Sequence, residues 1–533
     1  MKPVLDTEEV RLLEDAIERE GTSKAELMEA AGEFTASVVA RHEPSRVVVL
    51  TGFGNNGGDG WVAADILRTK GIAVDVVTPI EPDEIKSALA RHVARRTAGR
   101  DVDIHVGPSK DELTALIERA DVVVDALLGT GFSGTLRPPF PIWLSVLEEV
   151  RPLTVSVDVP SGLDSDTGIV AEACVHADET ATMLAPKIGL YSADGPEYAG
   201  DIICGELYEG LDVVIEDVDH AAEIVEAADI IDCIQPLPAN VNKYTRGSVL
   251  VVAGSASYPG AAMLAAKAAA RAGAGYVAVA APDACANLIR MALPSVPVVG
   301  IPSDTMGSFG AAARKKVCEI APKYDCVVCG PGMTTAAGAV QVVMGLLELD
   351  VPLVLDADAL NCLARLSIGG IDKTPELYRR EAPLVLTPHT GELARLVDEE
   401  RIEGLAHAVG AAQRILWACG SDDLVVVAKG PTTAIVSVDK TLIPMAGPAA
   451  LATAGSGDVL AGIIGANMVT LRDAGLPWEL VAAYAVAVHS YTGYAAAAVM
   501  GEKSVIATDL VDCIGDAMQL VENEALKDEG LLE

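Results

Sequence analysis

The sequence predicts an α/β protein of two three-layer α/β/α domains, each a mainly parallel sheet covered by helices on both faces. Three observations carry that reading. A chain of 533 residues exceeds what one hydrophobic core ordinarily organises and suits two cores of roughly 200 to 300 residues. Hydrophobic residues make up 50% of it but aromatic residues only 4%, and an interior of Ala, Val and Gly fits short buried strands under close-packed helices. Compact apolar runs alternate with helical periodicity in both halves, the order that parallel strands and crossover helices require.

In the first half, Ser23-Lys-Ala-Glu26 reads as a capping box opening a helix through Met28-Glu-Ala-Ala-Gly32. Residues 47–51 form an apolar strand, followed by the glycine loop Gly52-Phe-Gly-Asn-Asn-Gly-Gly-Asp-Gly60 and a periodic helix over 61–70 that Gly71 ends. Strands recur at Ala73–Thr78, 122–125 and 154–158. Residues 211–238 are acidic and end in prolines, with Asp212, Glu216, Asp217, Asp219, Glu223, Glu226, Asp229 and Asp232. The expected connector, 216–239, thus separates a first domain of residues 1–215 from a second of 240–520. In the second, strands are expected at 249–253, 276–280, Cys326–Cys329, Leu353–Leu355, Leu384–Leu386 and 424–427, again alternating with helices. No short repeat interrupts this pattern.

Composition also excludes classes of function. With 39 basic and 76 acidic residues, the formal charge of −37 opposes bulk affinity for nucleic acid or anionic membrane. The start, Met1-Lys-Pro-Val-Leu-Asp6, has no basic region before an apolar stretch, so no signal peptide is expected. The most apolar run, residues 481–500, contains His489, Tyr491, Thr492 and Tyr494 and reads as a buried helix. The ten cysteines are scattered, which suits reduced thiols and a cytoplasmic protein. Cys326-Val-Val-Cys329 has redox or zinc spacing, but no second pair follows it and its apolar setting favours buried strand thiols.

Three strand ends of the first half carry chemistry. Gly52-Phe-Gly-Asn-Asn-Gly57 satisfies the G-x-G-x-x-G dinucleotide pattern between a strand and a helix. No acidic residue closes the next strand, however, where Asp75 lies inside rather than at the end. The polar continuation to Gly60 suits hydrogen bonds to sugar or phosphate, or a cation. Asp125-Ala-Leu-Leu-Gly-Thr-Gly131 and Asp158-Val-Pro-Ser-Gly162 each end a strand on a carboxylate. In open α/β sheets such ends share one ligand crevice. Taken singly, each Asp could be a cap and each Gly a turn.

These motifs, with Asp158 to Gly168 and residues 177–190, resemble the NAD(P)H-hydrate epimerase domain over residues 1–215. The resemblance implies a Rossmann-like fold. It also implies that Asn55, Asn56, Gly57, Gly58 and Asp59, with Gly129, Thr130, Gly131, Phe132, Ser133, Gly134 and Thr135, hold the hydrated nucleotide. Asp158 would stand at the damaged nicotinamide ring, and Lys187 would take a catalytic role. A potassium ion would be bound by Asn56, Asp125 and Ser161, all hard oxygen donors.

The second half has its own glycine loop, Thr453-Ala-Gly-Ser-Gly-Asp458, at the start of an apolar helix. Backbone N–H groups there can hold a transferring phosphoryl group while Asp458 accepts a hydroxyl proton. No lysine follows the last glycine, so it is not a Walker loop. Lys429-Gly-Pro-Thr-Thr433 ends a strand and offers a second anion-binding turn. Each alone could be a helix cap or a hairpin; the pair favours a nucleotide.

Val252-Ala-Gly-Ser255, Tyr258-Pro-Gly-Ala-Ala262, Arg271-Ala-Gly-Ala-Gly275, Gly330-Pro-Gly332, Asp356-Ala-Asp-Ala-Leu-Asn361 and Thr387-Pro-His-Thr-Gly-Glu392 join these motifs. Together they resemble the ribokinase-like fold and, within it, the ADP- or ATP-dependent NAD(P)H-hydrate dehydratases. The resemblance places hydrated nucleotide against Ala261, Gly332, His389 and Asp458. It places ADP or ATP against Lys429, Gly430, Pro431, Thr432, Thr433 and Gly457. Asn242-Lys243 departs from the expected His-Lys. His389 could serve only as a structural hydrogen-bonder, but its place after Thr387-Pro388 at the crevice favours ligand contact. The other seven histidines show no zinc spacing, so a divalent ion should arrive as Mg2+ on nucleotide phosphates.

The implied substrates are NADHX and NADPHX, hydrated forms of the reduced coenzymes, with a homo-oligomer expected. Their ring hydroxyl leaves poorly, water having a pKa of about 15.7. Phosphorylating it, with Asp458 as base, makes a better leaving group, since phosphate's second pKa is about 6. Two rivals stand beside this reading. The second half could be a small-molecule kinase that keeps its phosphorylated product, and the first a nucleotide-binding scaffold without turnover.

Overall fold

The structure, a computed structural model, describes residues 1–528 apart from 101, 216, 217, 219, 221 and 367–379. The acidic residues Glu216, Asp217 and Asp219 of the expected connector lie outside the described residues. The chain forms two compact units, Lys2–Ala222 and the residues from Glu223 on.

Among the described residues, the first unit builds a sheet of seven parallel strands, in the order Asp103–Val106, Ala73–Thr78, Arg46–Thr51, Val122–Ala126, Thr154–Val157, Glu179–Met183 and Asp201–Gly205. Alternation along the strands makes three layers. Val47, Val49, Val76, Val122, Val124 and Val155 point to one side and pack with residues of helices Lys24–Ala40, Asn55–Thr69 and Ala88–Ala98. Val48, Leu50, Val77 and Val123 point to the other, against Lys110–Ile117 and Phe140–Val150. The Ser23–Glu26 capping box opens the second helix as expected.

One expectation is corrected. The helix after the first strand begins at Asn55, not 61, so Gly57, Gly58 and Gly60 lie in its first turns. These glycines serve close approach. A Cβ on Gly57 would sit 2.5 Å from the Gly52 carbonyl oxygen, and one on Gly60 would sit 2.6 Å from Ala126 Cβ.

In the second unit, parallel strands run in the order Val298–Ile301, Tyr276–Pro282, Ser248–Val252, Cys326–Cys329, Leu353–Leu355, Leu384–Leu386 and Leu424–Ala428. Ala434–Val436 and Thr441–Pro444 follow antiparallel, and Ala222–Val225 pairs parallel to the last of these. The expected connector therefore carries a strand of this sheet. Val249, Val251, Val328, Val354, Val385 and Val425 pack with helices Pro259–Arg271, Ser456–Thr470, Trp478–Met500 and Ala507–Asp528. Cys326 and Cys329 are buried strand thiols. The apolar run 481–500 falls within Trp478–Met500 and is largely buried. No helix among the described residues is long and apolar enough to cross a membrane.

Candidate active sites

In the first sheet, Arg46–Thr51 has the next strand on one side and the later strands on the other. Chain growth reverses direction at that point, which leaves a crevice at the carboxyl ends of the strands. A cavity of about 620 Å³ lies there. Of the residues expected to hold nucleotide, Asn55, Asn56, Asp59, Gly129, Thr130, Gly131, Phe132, Ser133 and Thr135 line it, together with Asp158. Gly57 and Gly58 do not: they are buried, and a Cβ on Gly58 would meet Met28 Sδ at 2.7 Å. Gly134 is also absent from the lining and supplies a turn at φ +83°.

Asp158 follows strand Thr154–Val157 in a left-handed conformation, φ +67°. An L side chain there costs of order 1–3 kcal/mol and persists only where surroundings enforce it. They do. Its Oδ1 accepts hydrogen bonds from Lys187 Nζ and, at 3.3 Å each, from Thr182 Oγ1 and the Met183 N–H. Lys187 is fully buried and also donates to the Met183 carbonyl at 2.8 Å. A buried ammonium without a carboxylate partner would be costly, so this pair fixes the Asp158 carboxylate in place.

Beneath the cavity, Asp125 is fully buried. Its carboxylate accepts from Ser156 Oγ at 2.9 Å, Ser161 N–H at 2.8 Å, Ser161 Oγ at 2.6 Å and Leu127 N–H at 3.3 Å. Burial raises its pKa, while the Ser161 bonds pull it back. Asn56 Nδ2 donates to the Leu128 carbonyl at 2.8 Å, and Ser161 Oγ lies 3.3 Å from that same oxygen. Asn56, Asp125 and Ser161 thus all bond the Leu127-Leu128 backbone. Three further cavity residues, Arg11, Glu14 and Arg137, are not singled out by the sequence. Glu14 lies on the short amphipathic helix Thr7–Arg19, where the pattern resembles any solvated face.

In the second unit, helix Ser456–Thr470 starts at Gly455, whose φ is +92°. Its first N–H groups are an anion cradle by construction. Lys429 Nζ comes within 3.1 Å of where a Gly457 Cβ would stand and donates to Asp356 Oδ1 at 2.6 Å. Burial alone would lower Lys429, but Asp356 and Glu392 outweigh it and its pKa is raised. Asp458, in the first turn, is pushed up to about 7, first by burial and then by Asp356, with Lys429 opposing. A carboxyl near neutrality beside a cationic cradle can take a proton from a hydroxyl while phosphate is held.

Lys429 opens a hairpin turn between Leu424–Ala428 and Ala434–Val436. Within it the Thr432 hydroxyl is buried without a hydrogen-bond partner, as expected of a group awaiting a ligand. Gly332 packs on Ala261: a Cβ there would lie 2.9 Å from that residue's Cβ. His389 caps helix Thr390–Val397, its Nδ1 accepting from Gly391 N–H at 3.0 Å. Burial and then Lys429 lower its pKa. The sequence does not single out His489, whose Nε2 lies 3.1 Å from both Oγ and O of Ser456 at the cradle. Asp356 carries the same signal as Asp125 and Asp158, a carboxylate closing an apolar strand.

Comparison with known proteins matches both halves. The NAD(P)H-hydrate dehydratase family matches residues 249–516, and the YjeF-related protein N-terminus matches residues 24–189. The bifunctional NAD(P)H-hydrate repair enzyme of Salinibacter ruber is 38% identical over 522 residues, 93% of this chain and 92% of that one. This chain belongs to the bifunctional NAD(P)H-hydrate repair enzyme family. A second member, from Thermofilum pendens, is 31% identical over 97% of this chain and 96% of its own. Among solved structures, the ADP/ATP-dependent NAD(P)H-hydrate dehydratase of Bacillus subtilis, co-crystallised with ATP/Mg2+, is 25% identical. It covers 56% of this chain and 98% of its own, with a TM-score of 0.46.

Proposed function

We propose that the first unit interconverts the R and S forms of NADHX and NADPHX, and that the second dehydrates the S form. The observation that supports it most is the Asp458 carboxyl, raised to about 7 beside Lys429 at a helix start. Asp458 takes the proton of the ring hydroxyl as that oxygen attacks the terminal phosphoryl group of ADP or ATP. The cradle at Gly457 and the ammonium of Lys429 balance the charge that develops on the phosphoryl oxygens. The ring nitrogen then expels phosphate, and NADH or NADPH is restored.

Ala261, Gly332 and His389 hold the hydrated ring in this reading. Lys429, Gly430, Pro431, Thr432 and Thr433 hold the nucleotide, whose Mg2+ arrives on its phosphates. In the first unit Asn55, Asn56, Asp59 and the turn at Gly129, Thr130, Gly131, Phe132, Ser133 and Thr135 hold the substrate, and Asp158, fixed by Lys187, reacts. The hard oxygens of Asn56, Asp125 and Ser161 fit a potassium ion, which supplies a fixed positive charge when bound. The described cysteines form no disulfide with one another, which supports a cytoplasmic location.

The test is to incubate purified protein with mixed NADHX epimers and ADP or ATP, each separately. Complete recovery of NADH with release of free phosphate is expected. Recovery stalling at about half would remove the epimerase, and a stable phosphorylated product would mean a kinase instead.

A further inference from the structure

Epimerisation at a carbinolamine carbon needs proton transfer at both faces of the ring: one group to help water leave and another to receive the proton of the water that returns. Asp158, paired with Lys187, is a carboxylate suited to the second task. The same cavity contains a candidate for the first.

Glu14 lines the cavity with Asp158 and Asp59 but belongs to a different element, helix Thr7–Arg19. Its neighbours along the chain are committed. Asp6 and Glu9 form that helix's capping box, and Asp15 pairs with Lys24 at 2.8 Å. Glu14 makes no hydrogen bond or ion pair among the described residues. Its helix is held by Val10, Leu13 and Ile17, packed with Leu5, Leu27 and Leu184. The carboxyl is therefore presented by a fixed backbone with no internal partner. Burial raises it, Lys24 opposes, and Asp158 raises it further, with lesser opposition from Lys187. Arg11 and Arg137 complete the charged lining. Asp59 is raised well above its ordinary range by burial, then by Asp158 and Glu14.

We infer that Glu14 is a second acid–base residue of the epimerase, acting as the counterpart of Asp158. This rests on the epimerase reading above. The Glu14 carboxyl gives its proton to the C6 hydroxyl oxygen as the C6–O bond breaks, and the ring nitrogen lone pair forms the C6=N1 bond. A water molecule leaves. Another adds to the opposite face of C6, returns the electron pair to N1 and gives its proton to the Asp158 carboxylate. Solvent exchange restores both groups, and the reverse reaction swaps their roles. One water is lost and one gained, with no redox change.

The test uses the full chain with R-NADHX in 18O-labelled water and no nucleotide, following S-NADHX formation and label at C6. In wild type, label enters with each turnover. Glu14→Gln should lower epimerisation kcat about 100-fold with little change in KM, and Glu14→Asp should retain an intermediate rate. Dehydration of pure S-NADHX reports only on the second unit, so urea unfolding of the first unit reports that the epimerase half is folded. If Glu14→Gln does not fold its first unit, Glu14→Asp decides: a wild-type kcat overturns the inference. Equal kcat in Glu14→Gln and wild type, a change in KM alone, or a loss seen in Asp59→Asn instead also overturns it. A wild-type protein that does not epimerise at all removes the parent reading.

Discussion

Two carboxyls, the buried Asp125 and the half-buried Asp458, are both raised by loss of solvent, yet what meets them differs. Asp125 accepts four hydrogen bonds and is locked into the structure. The Asp458 side chain makes none among the described residues. Its acid form dominates below its raised pKa, so a base at this position loses activity as pH falls. The kcat/KM for S-NADHX dehydration is expected to climb with pH through about 7 and then level. Asp458→Asn should cost about 10²- to 10⁴-fold and spare epimerisation. An acid limb centred in the ordinary carboxylate range would assign the base elsewhere. Asp158 is a structural as well as a chemical group, because Lys187 depends on it. Asp158→Ala is expected to destabilise the first unit by about 3–5 kcal/mol, since it strands a buried ammonium. Adding Lys187→Met should recover much of that stability in urea unfolding without restoring epimerisation. The strand-end rule makes Asp125 and Asp158 legible in sequence. Glu14 and His489 are not, because each sits in a helical pattern whose meaning depends on what folds against it.

At the scale of elements, the strands that sequence identifies are the central ones. Residues 47–50 and 122–124 are continuous apolar runs, and 74–78 is interrupted only by Asp75 before Thr78; all are buried on both faces, which is how an interior parallel strand reads. Asp103–Val106 is partly exposed along its length, and Glu179–Met183 is rich in threonine, so neither stands out from a loop. Ala434–Val436 has only three residues and depends on its hairpin partner. The helix start at Asn55 fails for a different reason. Glycine and asparagine are poor helix formers, and only the tight contact with Gly52, Met28 and Ala126 makes glycine the residue that fits. This yields a paired expectation. Gly60→Ala places a Cβ 2.6 Å from Ala126 Cβ, and should destabilise by about 1–3 kcal/mol through overpacking. Gly410, inside helix Gly404–Cys419, has open space around its Cβ position. Gly410→Ala there should stabilise by about 0.5–1 kcal/mol. Denaturant unfolding of the two variants checks both signs; destabilisation by Gly410→Ala would mean that the helix packs more closely than described.

On the scale of the whole molecule, the groups named for each site belong to one unit. The first cavity draws its lining from residues between Val10 and Asp158, and the second set of groups lies between Ala261 and His489. The S epimer formed at the first site can therefore be consumed at the second site of a different molecule. That leads to a complementation experiment with mixed NADHX epimers and nucleotide. Asp458→Asn alone should interconvert the epimers and regenerate no NADH. Asp158→Ala alone should consume the S form and stall at about half, apart from slow uncatalysed interconversion. Mixed together, the two variants should restore complete recovery, at a rate that scales with the concentration of the Asp458→Asn protein. A mixture that stalls as Asp158→Ala does would mean that the epimer passes only within one chain, and the independence of the two sites would fall.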